Sequence, residues 1–358
     1  MSVHLISAAE ALLKLDQFDA ILDARSEGEH AEDHLPMAQS WPSLNNEERI
    51  RVGTLYKQVS PFEAQKVGAA LVAKNIAHHI ETHVMDKARD WNPLVYCWRG
   101  GKRSNSLALI LGQIGFKVHL IEGGYKAFRK EILEDIPRQV ARLQFRVLCG
   151  PTGSGKTRLL HALAQAGEQV LDLEALACHR SSVLGLIPGT PQPSQKAFDT
   201  QVWDALRRCN PLQPVYVEAE SKKVGNLTVP AELMLAMRAS PCLRLELPLH
   251  SRVDLLLEDY AFFTQDRALF AERLSRLTAL RGKAVVQEWH EKIERGQLRE
   301  VVTELLSAHY DPGYEHSTRQ NFAHYEKAEV VSPASHSRED MRAMAEQLRA
   351  ARSIKLAD

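Results

Sequence analysis

Two short stretches carry the residue types that perform covalent or phosphate chemistry. In Tyr96–Ser104 (YCWRGGKRS) a lone thiol closes an apolar run and is followed by two glycines, three cations and a serine. A cysteine entering a helix is favoured as thiolate by the helix dipole, and Arg99, Lys102 and Arg103 reinforce that field. Gly100 and Gly101 allow backbone N–H groups to converge on whatever the sulfur carries, and Ser104 is expected to cap the helix. The alternative for a free cysteine is a small buried hydrophobe, which suits Cys149, Cys209 and Cys242. The second stretch, Gly150–Thr157 (GPTGSGKT), matches G-x-x-x-x-G-K-[ST] at every position between an apolar strand and a helical run. In that context the backbone N–H groups around Gly150, Gly153, Ser154 and Gly155 cradle phosphate oxygens. Lys156 neutralises the outer phosphate, and Thr157 is the candidate Mg²⁺ ligand.

Carboxylates recur at the following strand ends. Asp172 and Glu174, in LDLEALACHRSSVLG, stand where small-molecule kinases of this fold grip an acceptor. Glu218 and Glu220, in VYVEAESKK, stand where a carboxylate orders Mg²⁺ or its water. Caps or solvated acids are the plain alternative for each. His179 and Arg180 read equally well as a partly buried polar pair or as ligands.

These loops need strands and helices to hold them. Short apolar runs at Ala20–Asp23, Pro93–Tyr96 and Lys117–Ile121 read as strands, with a helix from Ser104 closed by Gly112 or Gly115. The order implies a right-handed crossover in a parallel sheet. Polar sequence from Glu134 to Arg142, with Pro137, marks a boundary. A second α/β set follows, with strands near Phe145–Cys149, Gln169–Asp172, Pro214–Glu218 and Cys242–Leu247, and beyond about His250 the pattern is almost wholly helical. Trp203, Trp289 and Tyr310 read as core, with stacking on a base as the alternative. The expected domains are 1–137, 143–250 and a helical extension 251–358.

Length and charge bound the rest. A chain of 358 residues exceeds a single core. Its 45 basic and 45 acidic residues cancel, so any nucleic-acid surface is a local patch. Five scattered cysteines without a CxxC pair argue against a disulfide framework or thiolate zinc site. No basic leader or apolar run of membrane-spanning length is present, and a soluble cytoplasmic protein is expected.

The spacing Cys97, five residues, Arg103 also fits C-x5-R, the anion cradle of cysteine phosphatases, so phosphatase and sulfurtransferase chemistry both remain open on the loop alone. Upstream, LDARSEGEHAEDHLP with Asp23 and Arg25 resembles the start of a rhodanese domain, although Met37 stands where that pattern has glycine, a change expected to be neutral. Rhodanese loops are usually one residue shorter, and the extra residue is expected to widen the cradle toward a phosphate-sized anion.

A rhodanese-like domain joined to a P-loop domain resembles the tRNA 2-selenouridine synthase family along essentially the whole chain. The motifs that carry the resemblance are LDARSEGEHAEDHLP, YCWRGGKRS, IEGGYKAFR, GPTGSGKT, LDLEALACHRSSVLG and YDPGYEHS. The resemblance implies a rhodanese-like parallel sheet followed by a P-loop NTPase-like α/β domain with a helical extension. It also implies replacement of sulfur by selenium in wobble-position 2-thiouridine of tRNA, with selenophosphate as donor and S-geranylation from geranyl diphosphate on the way. Cys97 would then act on selenium as a selanyl sulfide. Arg99, Gly100, Gly101, Lys102, Arg103 and Ser104 would hold the selenophosphate, and Gly150, Gly153–Thr157 the diphosphate. No tightly bound cofactor is implied, with room for Mg²⁺, and a selenophosphate-supplying enzyme is a candidate partner. Lys222, Lys223, Arg273, Arg276, Arg281 and Lys283 form the densest basic run and the candidate tRNA surface. The competing readings are a sulfurtransferase or C-x5-R phosphatase with a nucleotide-binding domain, and a non-catalytic nucleotide sensor.

Overall fold

The computed structural model describes residues 3–180, 185 and 189–355, with side chains as far as 352, so the stretches 181–184 and 186–188 of the LDLEALACHRSSVLG motif and the following loop lie outside the described residues. Contacts divide the chain into two units. One runs to Ile136 and includes Pro193–Asp204, and the other is the remainder of the described chain.

The first unit is built on a parallel sheet of β1 (Val3–Ile6), β2 (Ala20–Asp23), β3 (Ala38–Ser40), β4 (Pro93–Tyr96) and β5 (Val118–Ile121), in the order β1-β5-β4-β2-β3. The apolar runs of β2 and β4 are buried along their whole length, as a sheet covered on both faces demands. The helix Lys102–Ile114 crosses from β4 to β5 and ends at Gly115, packing Leu107, Ala108 and Leu111 against Val95 and Leu120. Asp23 pairs in register with Tyr96, so both strands end level and Cys97 leaves the sheet at its carboxyl edge. Open parallel sheets bind ligands along that edge.

Two expectations need correction here. Helix Lys102–Ile114 is flanked by Gly101, not Ser104, whose hydroxyl serves the thiol instead. The boundary expected within 134–142 falls after Ile136, inside helix Gly124–Ala141, which continues through Pro137. Met37 adopts φ 63°, the left-handed region where a side chain costs roughly 1–2 kcal/mol, so methionine in place of glycine is not neutral.

The second unit carries a parallel sheet ordered β12-β11-β6-β8-β7, from β6 (Phe145–Cys149), β7 (Gln169–Leu171), β8 (Val215–Glu218), β11 (Cys242–Leu245) and β12 (Glu329–Val331). A small hairpin, β9 (Lys223–Val224) and β10 (Leu227–Thr228), follows β8. Helix Lys156–Gln165 leaves the phosphate loop and buries Leu159, Leu160 and Leu163 on Leu148, Leu243 and Leu245. Met341 and Ala345 of helix Arg338–Lys355 complete that core, and β12 gives the helical C-terminal region a strand in the sheet. The helices from Ala261–Gln265 to Leu298–Glu304 form their own core around Phe263, Phe270, Trp289 and Leu305. Trp203 and Trp289 are buried, as expected of core residues. No described helix is long and apolar enough to cross a membrane.

Candidate functional sites

The Cys97 sulfur lies buried in its loop, where it accepts hydrogen bonds from the Gly101 N–H (3.2 Å) and the Ser104 hydroxyl (3.0 Å). The loop is braced from below by the start of helix Gly124–Ala141. The Tyr125 N–H donates to the Cys97 carbonyl at 2.8 Å, and the Trp98 ring stacks on Tyr125 with centroids 5.4 Å apart. A Cβ on Gly124 would come within 2.2 Å of the Cys97 carbonyl and 2.7 Å of the Gly100 nitrogen, so the IEGGYKAFR motif owes this glycine to the thiol loop.

Around the loop, Arg99 and Lys102 are exposed, free to face an incoming anion, whereas Arg103 donates to Glu29 at 2.8 Å. Asp23 and Arg25 are buried as a forked pair with contacts of 2.7–3.1 Å; Arg25 also donates to the Asp33 carbonyl at 2.6 Å and lies over the Tyr125 ring. Burial alone would raise the Asp23 carboxyl, but hydrogen bonds from His30 and Arg25 outweigh it and hold the group below its ordinary range. The pair shapes the loop's surroundings; neither side chain is an open ligand.

In the second unit the phosphate loop opens onto a cleft of ≈ 710 Å³. Gly155, at φ 87°, turns the chain into helix Lys156–Gln165. Lys156 Nζ donates to the Gly150 carbonyl at 2.7 Å and lies over the Tyr314 ring, whose hydroxyl accepts from the Gly150 N–H at 2.6 Å. Arg252 donates to the Thr152 carbonyl at 2.7 and 2.9 Å and to Asp311 at 2.6 and 3.0 Å. The helical region therefore supplies the clamp on the phosphate loop. Only the unexplained YDPGYEHS motif hinted at Asp311 and Tyr314, and nothing local marked Arg252.

All six candidate polar residues line this cleft. Ligand oxygens of Glu174, Glu218 and Glu220 lie within 4.8 Å of one another. Burial, then the neighbouring Glu174, pushes Glu218 up to about 8, and its Oε1 is buried with no hydrogen-bond partner among the described residues. A carboxylate oxygen left so beside two others and the Thr157 hydroxyl fits a divalent cation. Asp172 caps helix Leu173–Leu176 through the Ala175 N–H and meets His161 at 2.8 Å. His179 is buried, which lowers its pKa and keeps it neutral, and Arg180 donates to the Asp259 carbonyl at 2.7 Å.

None of the six residues proposed from sequence for tRNA lines the cleft. Lys222, Lys223, Arg276 and Lys283 are exposed, Arg273 is half-buried, and Arg281 donates to His309 at 3.0 Å. The cleft's own cations include Arg238, Arg338 and Arg342, and nothing in the sequence joined the first to the other two, about a hundred positions further on.

Residues 7–131 match the model of the rhodanese-like domain, and residues 143–273 that of the tRNA 2-selenouridine synthase AAA domain. The curated tRNA 2-selenouridine synthase of Nitrosomonas europaea is 37% identical over 68% of this chain and 64% of its own length, so the match spans just under two thirds of that relative. The namesake of Alcanivorax borkumensis is 33% identical over 83% of this chain and 88% of its own. That of Pseudomonas putida GB-1 is 32% identical over 91% and 94%. The chain belongs to the tRNA 2-selenouridine synthase family.

Proposed function

We propose that the protein replaces the sulfur of wobble-position 2-thiouridine in tRNA by selenium, taking selenophosphate as donor and passing through an S-geranylated base made from geranyl diphosphate. In the first step the thiocarbonyl sulfur attacks the allylic carbon, the carbon–oxygen bond breaks and diphosphate leaves, while the base gives up its ring N–H proton. Backbone N–H groups of Gly153, Gly155, Lys156 and Thr157 and the Lys156 ammonium receive the leaving charge. If Mg²⁺ is bound, Thr157 with Glu174, Glu218 and Glu220 would hold it, and it would add positive charge to the departing diphosphate. In the second step the selenium of the donor adds at C2 of the base and the geranyl thiolate departs, while water cleaves the selenium–phosphorus bond to release phosphate and the ring nitrogen regains its proton.

Cys97 acts at the selenium donor, with Arg99, Lys102 and the Gly100–Gly101 backbone around the anion. Arg103 joins them only by exchanging Glu29 for the ligand. The substrate assigns the work to the cytoplasm.

The observation that carries this reading is the Cys97 sulfur, held by two donors in a rhodanese-type loop, in a chain whose relatives are named for this activity. Mass spectrometry of tRNA nucleosides from cells carrying each variant tests it. Cys97→Ser is expected to abolish 2-selenouridine and leave the geranylated nucleoside, whereas Lys156→Ala is expected to lose both. Normal 2-selenouridine with Cys97→Ser would remove the thiol from the mechanism.

A further inference from the structure

Behind the phosphate loop lies a second cavity, and its walls are apolar. It shares Thr152, Leu256 and Tyr260 with the cleft, so the two spaces meet at the phosphate loop itself. Away from that mouth it is lined by side chains such as Phe263, Phe270, Val302 and Leu305. Leu305, Leu306 and Tyr310 on its wall belong to a π-helical turn, Leu305–Tyr310, a rare geometry that concentrates at functional sites. The chain runs directly from this turn into Asp311 and Tyr314, the two residues that fasten the phosphate loop. One segment thus shapes the apolar space and braces the anion cradle.

We infer that this cavity receives the hydrocarbon tail of the ligand whose diphosphate occupies Gly150–Thr157, and that its depth sets the tail length the protein accepts. Cores are packed without voids because an unfilled apolar space forfeits dispersion contacts. A void retained at the mouth of an anion cradle fits a molecule with a charged head and an apolar tail. A nucleoside does not suit it, since a base and ribose would leave their polar edges against leucine and phenylalanine. The ligand class is a short prenyl diphosphate, and the inference rests on the proposed diphosphate role of the loop.

The space of ≈ 50 Å³ holds about one isoprene unit without rearrangement, given that a single water needs ~10–15 Å³ in the same measure. A second unit lies along Leu255 and Leu256 on the cleft wall. A third unit extends beyond the cavity and these two leucines, so fifteen-carbon tails are expected to bind less tightly.

Calorimetric titration of the full chain with inorganic pyrophosphate, dimethylallyl, geranyl and farnesyl diphosphates tests this. The wild type is expected to bind geranyl diphosphate at least about tenfold more tightly than pyrophosphate, from the burial of CH₂ groups, and farnesyl diphosphate less tightly than geranyl. Val302→Phe, which fills the cavity, is expected to erase the preference for a tail while pyrophosphate still binds. Val302→Ala, which deepens it, is expected to raise the affinity for farnesyl diphosphate relative to geranyl, and decides the matter if the larger side chain is not accommodated. Equal binding of pyrophosphate and geranyl diphosphate by the wild type, or an unchanged order of affinities in both variants, would overturn the cavity's role and leave the diphosphate site intact. Failure of the wild type to bind pyrophosphate or any prenyl diphosphate would instead remove the diphosphate reading, and the inference with it.

Discussion

Glu218 concentrates the second unit's chemistry in one carboxyl group. It closes β8 beside Glu174 and Thr157, and burial followed by Glu174 lifts it to about 8 from an ordinary value of 4.5. A carboxyl whose folded value exceeds its unfolded one binds its proton more tightly in the folded state. The stabilisation is complete below the unfolded value and is lost as pH rises through the folded one. In metal-free buffer the urea midpoint of the wild type is therefore expected to fall from about pH 5 to about pH 8, and Glu218→Gln to flatten that decline. Added Mg²⁺ is expected to recover stability at the upper end for the wild type and not for the variant, because only a ligand that binds the folded state shifts the equilibrium. Parallel pH profiles for the two proteins would show that Glu218 is not the titrating group. Ser104 makes the same point in the first unit: position alone suggested a helix cap, whereas the hydroxyl turns to the Cys97 sulfur at 3.0 Å.

Between residue and domain, the segment Leu305–Tyr314 joins a π-helical turn to a helix whose first residue, Asp311, is the counter-ion of Arg252. Arg252 is nearly buried and spans Asp311 and the Thr152 carbonyl, so removing the acid leaves a cation with half its partners. Asp311 itself is one-third exposed, and the cost of Asp311→Ala is accordingly about 1–2 kcal/mol, below that of a fully buried pair. Pyrophosphate affinity is expected to fall about tenfold for that cost, with a lower melting temperature. An unchanged affinity with the same melting loss would mean that the pair supports the fold alone. This clamp was illegible in the sequence because its members are 59 and 100 positions apart. By contrast β2, β4 and β6 were legible to the residue, since buried parallel strands are continuous apolar runs bounded by glycine and polar residues. The strands β1, β3 and β12 were missed: three or four residues with exposed positions make no pattern, and their pairing comes from neighbours distant in the chain.

For the whole molecule, balanced charge leaves tRNA to be held by local patches, and two patches now compete. Sequence density favoured the run from Arg273 to Lys283 with Lys222 and Lys223, yet none of these reaches the cleft, and Arg281 already donates to His309. A wobble base delivered to the phosphate loop brings its flanking phosphates to the cleft rim, where Arg338 and Arg342 stand exposed one helical turn apart and Arg238 lines the same space. Each phosphate neutralised adds about 0.7–0.9 to the slope of log affinity against log salt. Fluorescence anisotropy with tRNA across a salt series is expected to show that slope reduced by about 1.5 in the Arg338→Ala, Arg342→Ala double variant, two contacts' worth. The Arg276→Ala, Lys283→Ala double variant is expected to keep the wild-type slope. A flattened slope only in the latter pair would move the tRNA surface to the basic run marked by sequence density, because the counterion term follows the residues that touch phosphate and not those that are merely close in the chain.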